Sequence, residues 1–196
     1  MTHTLIVGAR HVGKSTLIQK VIGELGCSVS GFETKKEDCM ADEIHGSPLY
    51  IYKAGQAHRQ MQDNLLGYCK ENPPEVSKHA FDHAAHLISE SEIEGDVIVM
   101  DEIGFMESSS KVFCSEIMHR LDGDKPVIAA VKHNETGFLT AVKNHPNCRC
   151  FFITEENRDE LFPAVLRFVR SQLEKHSTKE IPAVAFKVIS EPEKPR

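Results

Sequence analysis

The nine residues from Gly8 to Thr16, Gly-Ala-Arg-His-Val-Gly-Lys-Ser-Thr, constrain this chain more than any other stretch. Two glycines are separated by four residues, and Lys14 and Ser15 follow at once. A loop of this spacing wraps a phosphate group in backbone N–H donors. Its lysine reaches the β and γ phosphates, and its hydroxyl turns toward Mg²⁺. It works only where a strand passes directly into a helix, because the helix N-terminus supplies free N–H groups and a favourable dipole. The flanks meet that condition. Thr4–Ala9 is a short apolar, β-branched run, the pattern of a buried strand. From Lys14 to Leu25, the apolar positions 17, 18, 21, 22 and 25 follow helical spacing, and Gly26 stops the helix. Gly8, Ala9, Arg10, His11, Val12, Gly13, Lys14, Ser15 and Thr16 are therefore the candidate phosphate-binding residues.

Past this loop, apolar runs of strand length alternate with helical patterns. Strands are expected at Cys27–Phe32, Asp96–Gly104, Val127–Val131 and Cys150–Ile153. Helices are expected at 56–68, 75–91, 110–121, 137–142 and 157–173. A hairpin with its turn at His45-Gly46-Ser47-Pro48 interrupts the alternation. Alternation of this kind predicts an α/β fold: a mostly parallel central sheet with helices on both faces and a small β-hairpin insertion. Residues 1–175 read as one domain. Residues 176–196 read as a charged tail, in which Ala183–Ile189 could add an edge strand.

Ligands of such sheets lie at the carboxyl ends of the strands. Two segments end there. One is the glycine loop; the other is Val97-Ile98-Val99-Met100-Asp101-Glu102, four apolar residues running into two acids. Asp101 is the candidate Mg²⁺ ligand beside Ser15, and Glu102 the candidate general base or water-positioning residue, with Lys14 assisting on the phosphates. On an extended strand the two acidic side chains should diverge. The loop after the last strand, Thr154–Leu161, lies at the same edge. Asn157 and Arg158 there are candidate contacts to the nucleotide, and the same loop also reads as a helix start, with Thr154 as N-cap and Glu155 and Glu156 in the first turn. Thr34 and the lysines after it, in a loop following the second strand, could reach the γ-phosphate or simply be solvated. His79, His83 and His86 share one helical stripe opposite Phe81, Ala84, Ala85 and Ile88, which places the histidines on the solvated face rather than in a metal site.

Composition narrows the classes. A net charge of −6 gives no general attraction to nucleic acid or to an anionic membrane. No apolar run approaches the ~20 residues of a membrane span, and the first residues lack the basic segment of a secretion signal. Six cysteines without zinc spacing are expected to be reduced thiols of a cytoplasmic protein. The expected ligands are nucleoside triphosphates, ATP, GTP and others, with Mg²⁺ as cofactor. A protein partner is not identified by the sequence.

The segments GARHVGKSTLI, GFETKK, LLGYC, VIVMDEIGFMES, PVIAAVKH and TEENRDEL, in this order, resemble the THEP1-type nucleoside-triphosphatase family over most of residues 3–173. DEIGFME followed by ENRD is the most specific part. The resemblance implies a RecA-like P-loop NTPase fold and Mg²⁺-dependent hydrolysis of nucleoside triphosphates with loose base preference. It also implies a catalytic role for Glu102 and draws attention to Glu107. Arg10 and His11 stand where the family usually has Pro and Gly, and His11 occupies a position that often uses glycine's conformational freedom. Two other functions fit the same loop: a small P-loop kinase, or a non-catalytic nucleotide-binding adaptor. The absence of N-K-x-D at a strand end speaks against a guanine-specific switch.

Overall fold

The computed structural model describes residues 1–70, 75–90, 94–104, 110–134 and 136–180. Its strands are β1 (His3–Gly8), β2 (Val29–Lys36), β3 (Ser47–Lys53), β4 (Leu65–Cys69), β5 (Glu75–Val76), β6 (Val97–Ile103), β7 (Val127–Lys132) and β8 (Cys148–Phe152). Its helices are α1 (Lys14–Leu25), α2 (Lys78–Glu90), α3 (Lys111–Asp122), α4 (Gly137–Lys143) and α5 (Arg158–Glu180). The strands form one eight-stranded sheet in the order β5-β4-β3-β2-β6-β7-β1-β8. From β2 to β8 every pairing is parallel. β3, β4 and β5 extend the sheet as antiparallel neighbours.

Both faces of the sheet are covered, which explains why the central strands read as unbroken apolar runs. On one face, Phe81, Ala84, Ala85 and Ile88 of α2 pack with Phe113 and Ile117 of α3 and Leu139 and Val142 of α4. The rings of Phe81 and Phe113 meet edge-on at 5.2 Å. On the other face, Leu17, Ile18 and Val21 of α1 and Val165 and Val169 of α5 cover Ile6, Val99, Ile128 and Phe151. Ser110 caps α3 by accepting from the Phe113 N–H, and its own hydroxyl donates to Asp82 of α2. His86 is exposed, on the side of α2 away from its apolar stripe; the side chains of His79 and His83 lie outside the described set.

The structure corrects several expectations. Glu33–Lys36 is not a loop but the second half of β2, because each of these residues pairs with β3, from Glu33↔Tyr52 to Lys36↔Leu49. The expected helix over 56–68 is absent: a single 3-10 turn, Gln62–Asn64, leads into β4. Pairing of Leu65–Cys69 with β3 overrides the local pattern. The insertion is thus three antiparallel strands on the edge of β2 rather than a lone hairpin. The turn expected at His45–Pro48 falls earlier, because Ser47 and Pro48 already pair with β4: Asp42 and Gly46 exchange backbone hydrogen bonds, and the Asp42 carboxylate accepts from the Ile44 and His45 N–H groups. α5 runs past residue 175 to Glu180, and residues 181–196, with the expected edge strand, lie outside the described residues.

Candidate active site

The carboxyl ends of β1, β7, β6 and β2 meet at one edge of the sheet, and strand register decides which side chains come together there. Gly8 is in register with Lys132, and Glu33 with Asp101. The glycine loop leaves β1 at Gly8. A Cβ on Gly8 would stand 2.7 Å from both the carbonyl and a methyl of Ile153, so only hydrogen fits. Gly13 ends the loop at φ 102°, and His11 sits at φ 65° without being glycine, in the left-handed region that histidine enters more readily than most residues. Val12 tucks into the core beneath the loop, while Ala9, Arg10 and His11 are exposed. Gly13 provides no side-chain cap to α1, and the first turn of α1 carries no acidic residue. The N–H groups of Lys14, Ser15 and Thr16 therefore start a helix whose positive end is left for an anion.

Lys14 is nearly buried, 4% exposed. Its ammonium donates to the carbonyls of Gly8 (3.1 Å) and Ala9 (2.6 Å) and pairs with Glu102 Oε2 at 2.9 Å. Three N–H groups have three partners, which compensates the burial of the charge. Ser15 Oγ donates to Asp101 Oδ1 at 2.9 Å. The two acids therefore do not diverge; they meet consecutive residues of the loop. The cause lies in β6. Met100 pairs with Ala129 and Ile103 with Val131, so two residues of β6, Asp101 and Glu102, oppose the single Ala130. A bulge of this kind re-aims side chains at the end of a strand.

Thr34 supports the bulge. Its hydroxyl accepts from the Glu102 N–H at 3.1 Å and donates to the Asp101 carbonyl at 3.3 Å. Of the two roles left open for Thr34, a γ-phosphate contact or a solvated side chain, the structure shows neither: its hydroxyl clamps β6. Lys132, at the end of β7, places its ammonium 3.3 Å from Glu102 Oε1.

Burial pushes the Asp101 carboxyl up to about 6, with the Ser15 hydroxyl opposing the shift and Glu102 and Glu33 adding to it. A carboxylate whose charged form burial destabilises, beside a hydroxyl oxygen, is a hard-oxygen donor pair that suits Mg²⁺. On this chemistry the residues present fit that ion.

The loop after β8 is built from its own side chains. Asn157 Oδ1 accepts from the Thr154 N–H, Asn157 Nδ2 donates to the Phe152 carbonyl, and Thr154 Oγ1 accepts from the Asn157 N–H. Asn157 thus spends both ends of its amide on the loop and shapes it. Arg158, exposed at the start of α5, brings its Cδ within 3.7 Å of where a Cβ on Gly13 would be. Phe152 ends β8 beside this loop and is 58% exposed. Two further cations lie elsewhere: Lys143, at the end of α4, donates to the carbonyls of His133 and Asn134, and Arg149 of β8 lies over the rings of Phe151 and Phe168. Glu107 lies outside the described residues. Sequence reasoning had singled out Lys14, Ser15, Asp101 and Glu102. It left Thr34 as an open candidate at the γ-phosphate and did not bring Lys132 to Glu102, because only the register of neighbouring strands does so.

A phosphate-binding loop facing two acids across a covered parallel sheet defines a P-loop nucleotide-binding protein. A family model described as NTPase matches residues 3–166, well over half of the chain. Relatives include the nucleoside-triphosphatase THEP1 of Pyrococcus abyssi (strain GE5 / Orsay), 28% identical over 177 residues, with 86% of this chain and 92% of that protein covered. The enzyme of the same name from Methanocaldococcus jannaschii is 27% identical over 177 residues, with 86% and 97% covered. The crystal structure of THEP1 from the hyperthermophile Aquifex aeolicus is similar at a TM-score of 0.66 and 21% identity, covering 86% of this chain and 99% of that one. The solution structure of a human cancer-related nucleoside triphosphatase gives 0.63 and 24%, covering 87% and 98%. These two likenesses speak for the fold. The chain belongs to the THEP1-type NTPase family.

Proposed function

We propose that the protein hydrolyses nucleoside triphosphates to diphosphates and phosphate in a Mg²⁺-dependent reaction, with loose base preference. One observation carries the reading: consecutive loop residues Lys14 and Ser15 each contact one of two consecutive acids of β6, both at 2.9 Å. Phosphoryl transfer to water needs little covalent help; it needs charge neutralised on the phosphate and a water held in line. The N–H groups at the start of α1 and the ammonium of Lys14 receive the β and γ phosphates. Ser15 and Asp101 are the residues that would hold Mg²⁺, which neutralises charge on the phosphate oxygens when bound. Glu102, one residue beyond Asp101, orients the attacking water and takes its proton.

Water as acceptor is favoured over a second substrate because Lys143 and Arg149, cations that a kinase lid would use, are committed to carbonyls and to aromatic rings. Loose base preference follows from Asn157, whose amide is occupied within its own loop. With no buried bidentate contact, discrimination between ATP and GTP should be on the order of 1–2 kcal/mol or less. The test is phosphate release, with and without Mg²⁺, across the four ribonucleotides and their deoxy forms. A kcat/KM ratio between bases above about a thousandfold would sink the loose-preference claim, and the absence of Mg²⁺-dependent release the hydrolase reading.

A further inference from the structure

The carboxylate of Glu102 is shared between two ammonium groups, with Oε2 toward Lys14 and Oε1 toward Lys132. The two lysines arrive differently. Lys14 belongs to the loop and also serves the Gly8 and Ala9 carbonyls. Lys132 ends β7 and is fixed beside Gly8 by strand register. An ammonium has only three donors, so a phosphate that engages Lys14 must displace at least one of its present partners. Glu102 is the one that can be displaced, because the two carbonyls are part of the loop backbone itself. A half-buried carboxylate that loses its only partner bears a large cost and moves. Glu102 does not lose its only partner, because its other oxygen remains on Lys132.

We propose that Lys132 is the positioning residue for Glu102: it holds the carboxylate in place when Lys14 turns to the phosphates, so that Glu102 stays aimed at the attacking water. The proposal rests on the reading of Glu102 given above. Lys132 acts through Glu102 and not on the nucleotide, which separates it from a further phosphate-binding cation.

The test is steady-state Mg²⁺-ATP hydrolysis and equilibrium ATP binding for the parent, K132A, K132R, E102Q and the K132A/E102Q double variant, with thermal melts for each. K132Q stands in for K132A if the latter melts below the assay temperature. K132A should lower kcat by about 10–100-fold, less than E102Q does, while KM stays within about threefold. K132R should recover kcat to within about fivefold of the parent, because a guanidinium can also hold the carboxylate. In the E102Q background, K132A should change kcat by less than about twofold, since a residue acting through Glu102 has nothing left to act on. The proposal is overturned by a K132A kcat within about twofold of the parent, by a loss confined to KM, or by an undiminished K132A loss in the E102Q background. Normal turnover in E102Q overturns the assignment of Glu102 itself. A parent-like K132A beside an inactive E102Q removes the role of Lys132 alone.

Discussion

At the scale of single residues, the site separates two acids by what each touches. Glu102 faces Lys14 and Lys132, and Asp101 faces Ser15. Glu102→Gln keeps the shape and hydrogen bonding of the side chain but cannot take a proton. It should lower kcat by about 10²–10⁴-fold while nucleotide affinity holds or improves, because a negative charge near the γ-phosphate is gone. Asp101→Asn should act differently, raising the Mg²⁺ concentration needed for half-maximal activity. Phosphate release measured beside equilibrium nucleotide binding, both as a function of Mg²⁺, distinguishes the two. A Glu102→Gln enzyme with parental kcat would move the base elsewhere. Lys14 was legible from spacing alone, but its setting was not. The spacing carries no information on where the side chain rests; it folds inward and closes on two carbonyls of its own loop.

At the scale of elements, the site depends on how the end of β6 is held against β2. The bulge at Asp101–Glu102 interrupts the register with β7, and the Thr34 hydroxyl bonds two backbone groups there, the Asp101 carbonyl and the Glu102 N–H. Thr34→Val removes both contacts at almost constant volume. It should cost about 1–3 kcal/mol in stability, the range for a polar group left unsatisfied, and it should lower kcat. Thr34→Ser should restore both. Chemical denaturation and turnover of the three proteins measure this; a Val variant matching the parent in both would show that the clamp is idle. The elements themselves were unequally legible. α1, α3 and α5 announce themselves by apolar spacing, and β1, β6 and β7 by uninterrupted apolar runs, because burial on both faces writes a strong local signal. β4 and the second half of β2 carry polar residues such as Gln62, Lys35 and Lys36 in or beside them. They are strands because β3 lies between them, a fact no local window contains.

At the scale of the whole molecule, the edge of the sheet opposite the site carries its own constraint. His3 is fully buried. Its Nε2–H donates to the Leu121 carbonyl at 3.0 Å, and its Nδ1 accepts from the Val127 N–H at 3.2 Å. It thereby ties β1 to the end of α3 and the start of β7. Burial is the main cause that lowers its pKa from 6.5 to about 4. In the unfolded chain the imidazole takes a proton near its ordinary value, so between about pH 6.5 and 4 the unfolded state binds more protons than the folded one. Stability is therefore fully present above that window and falls as pH drops through it, by up to about 3 kcal/mol from this group. Urea denaturation at pH 7 and pH 4.5 should show most of the loss, and His3→Gln should remove that part of the difference between the two pH values. An unchanged difference would place the acid sensitivity in another group.

The register of Gly8 with Lys132, and of Val7 with Phe152, has a consequence for synthesis. The loop, the Ser15 hydroxyl and both acids all lie within the first 102 residues, so they leave the ribosome early. The strands that flank β1 are made only after residue 126, and the Ile153 backbone against which Gly8 packs comes later still. Long-range parallel pairing of this kind forms late, since the intervening chain must exist before it can be closed. Every residue of the glycine loop is therefore translated well before the strands that hold the loop in place. A chain truncated after residue 125 retains the entire signature and should fail to retain a fluorescent nucleotide analogue, while the chain to residue 180 should bind it. Tight binding by the shorter chain would mean that the loop is preformed without its flanking strands.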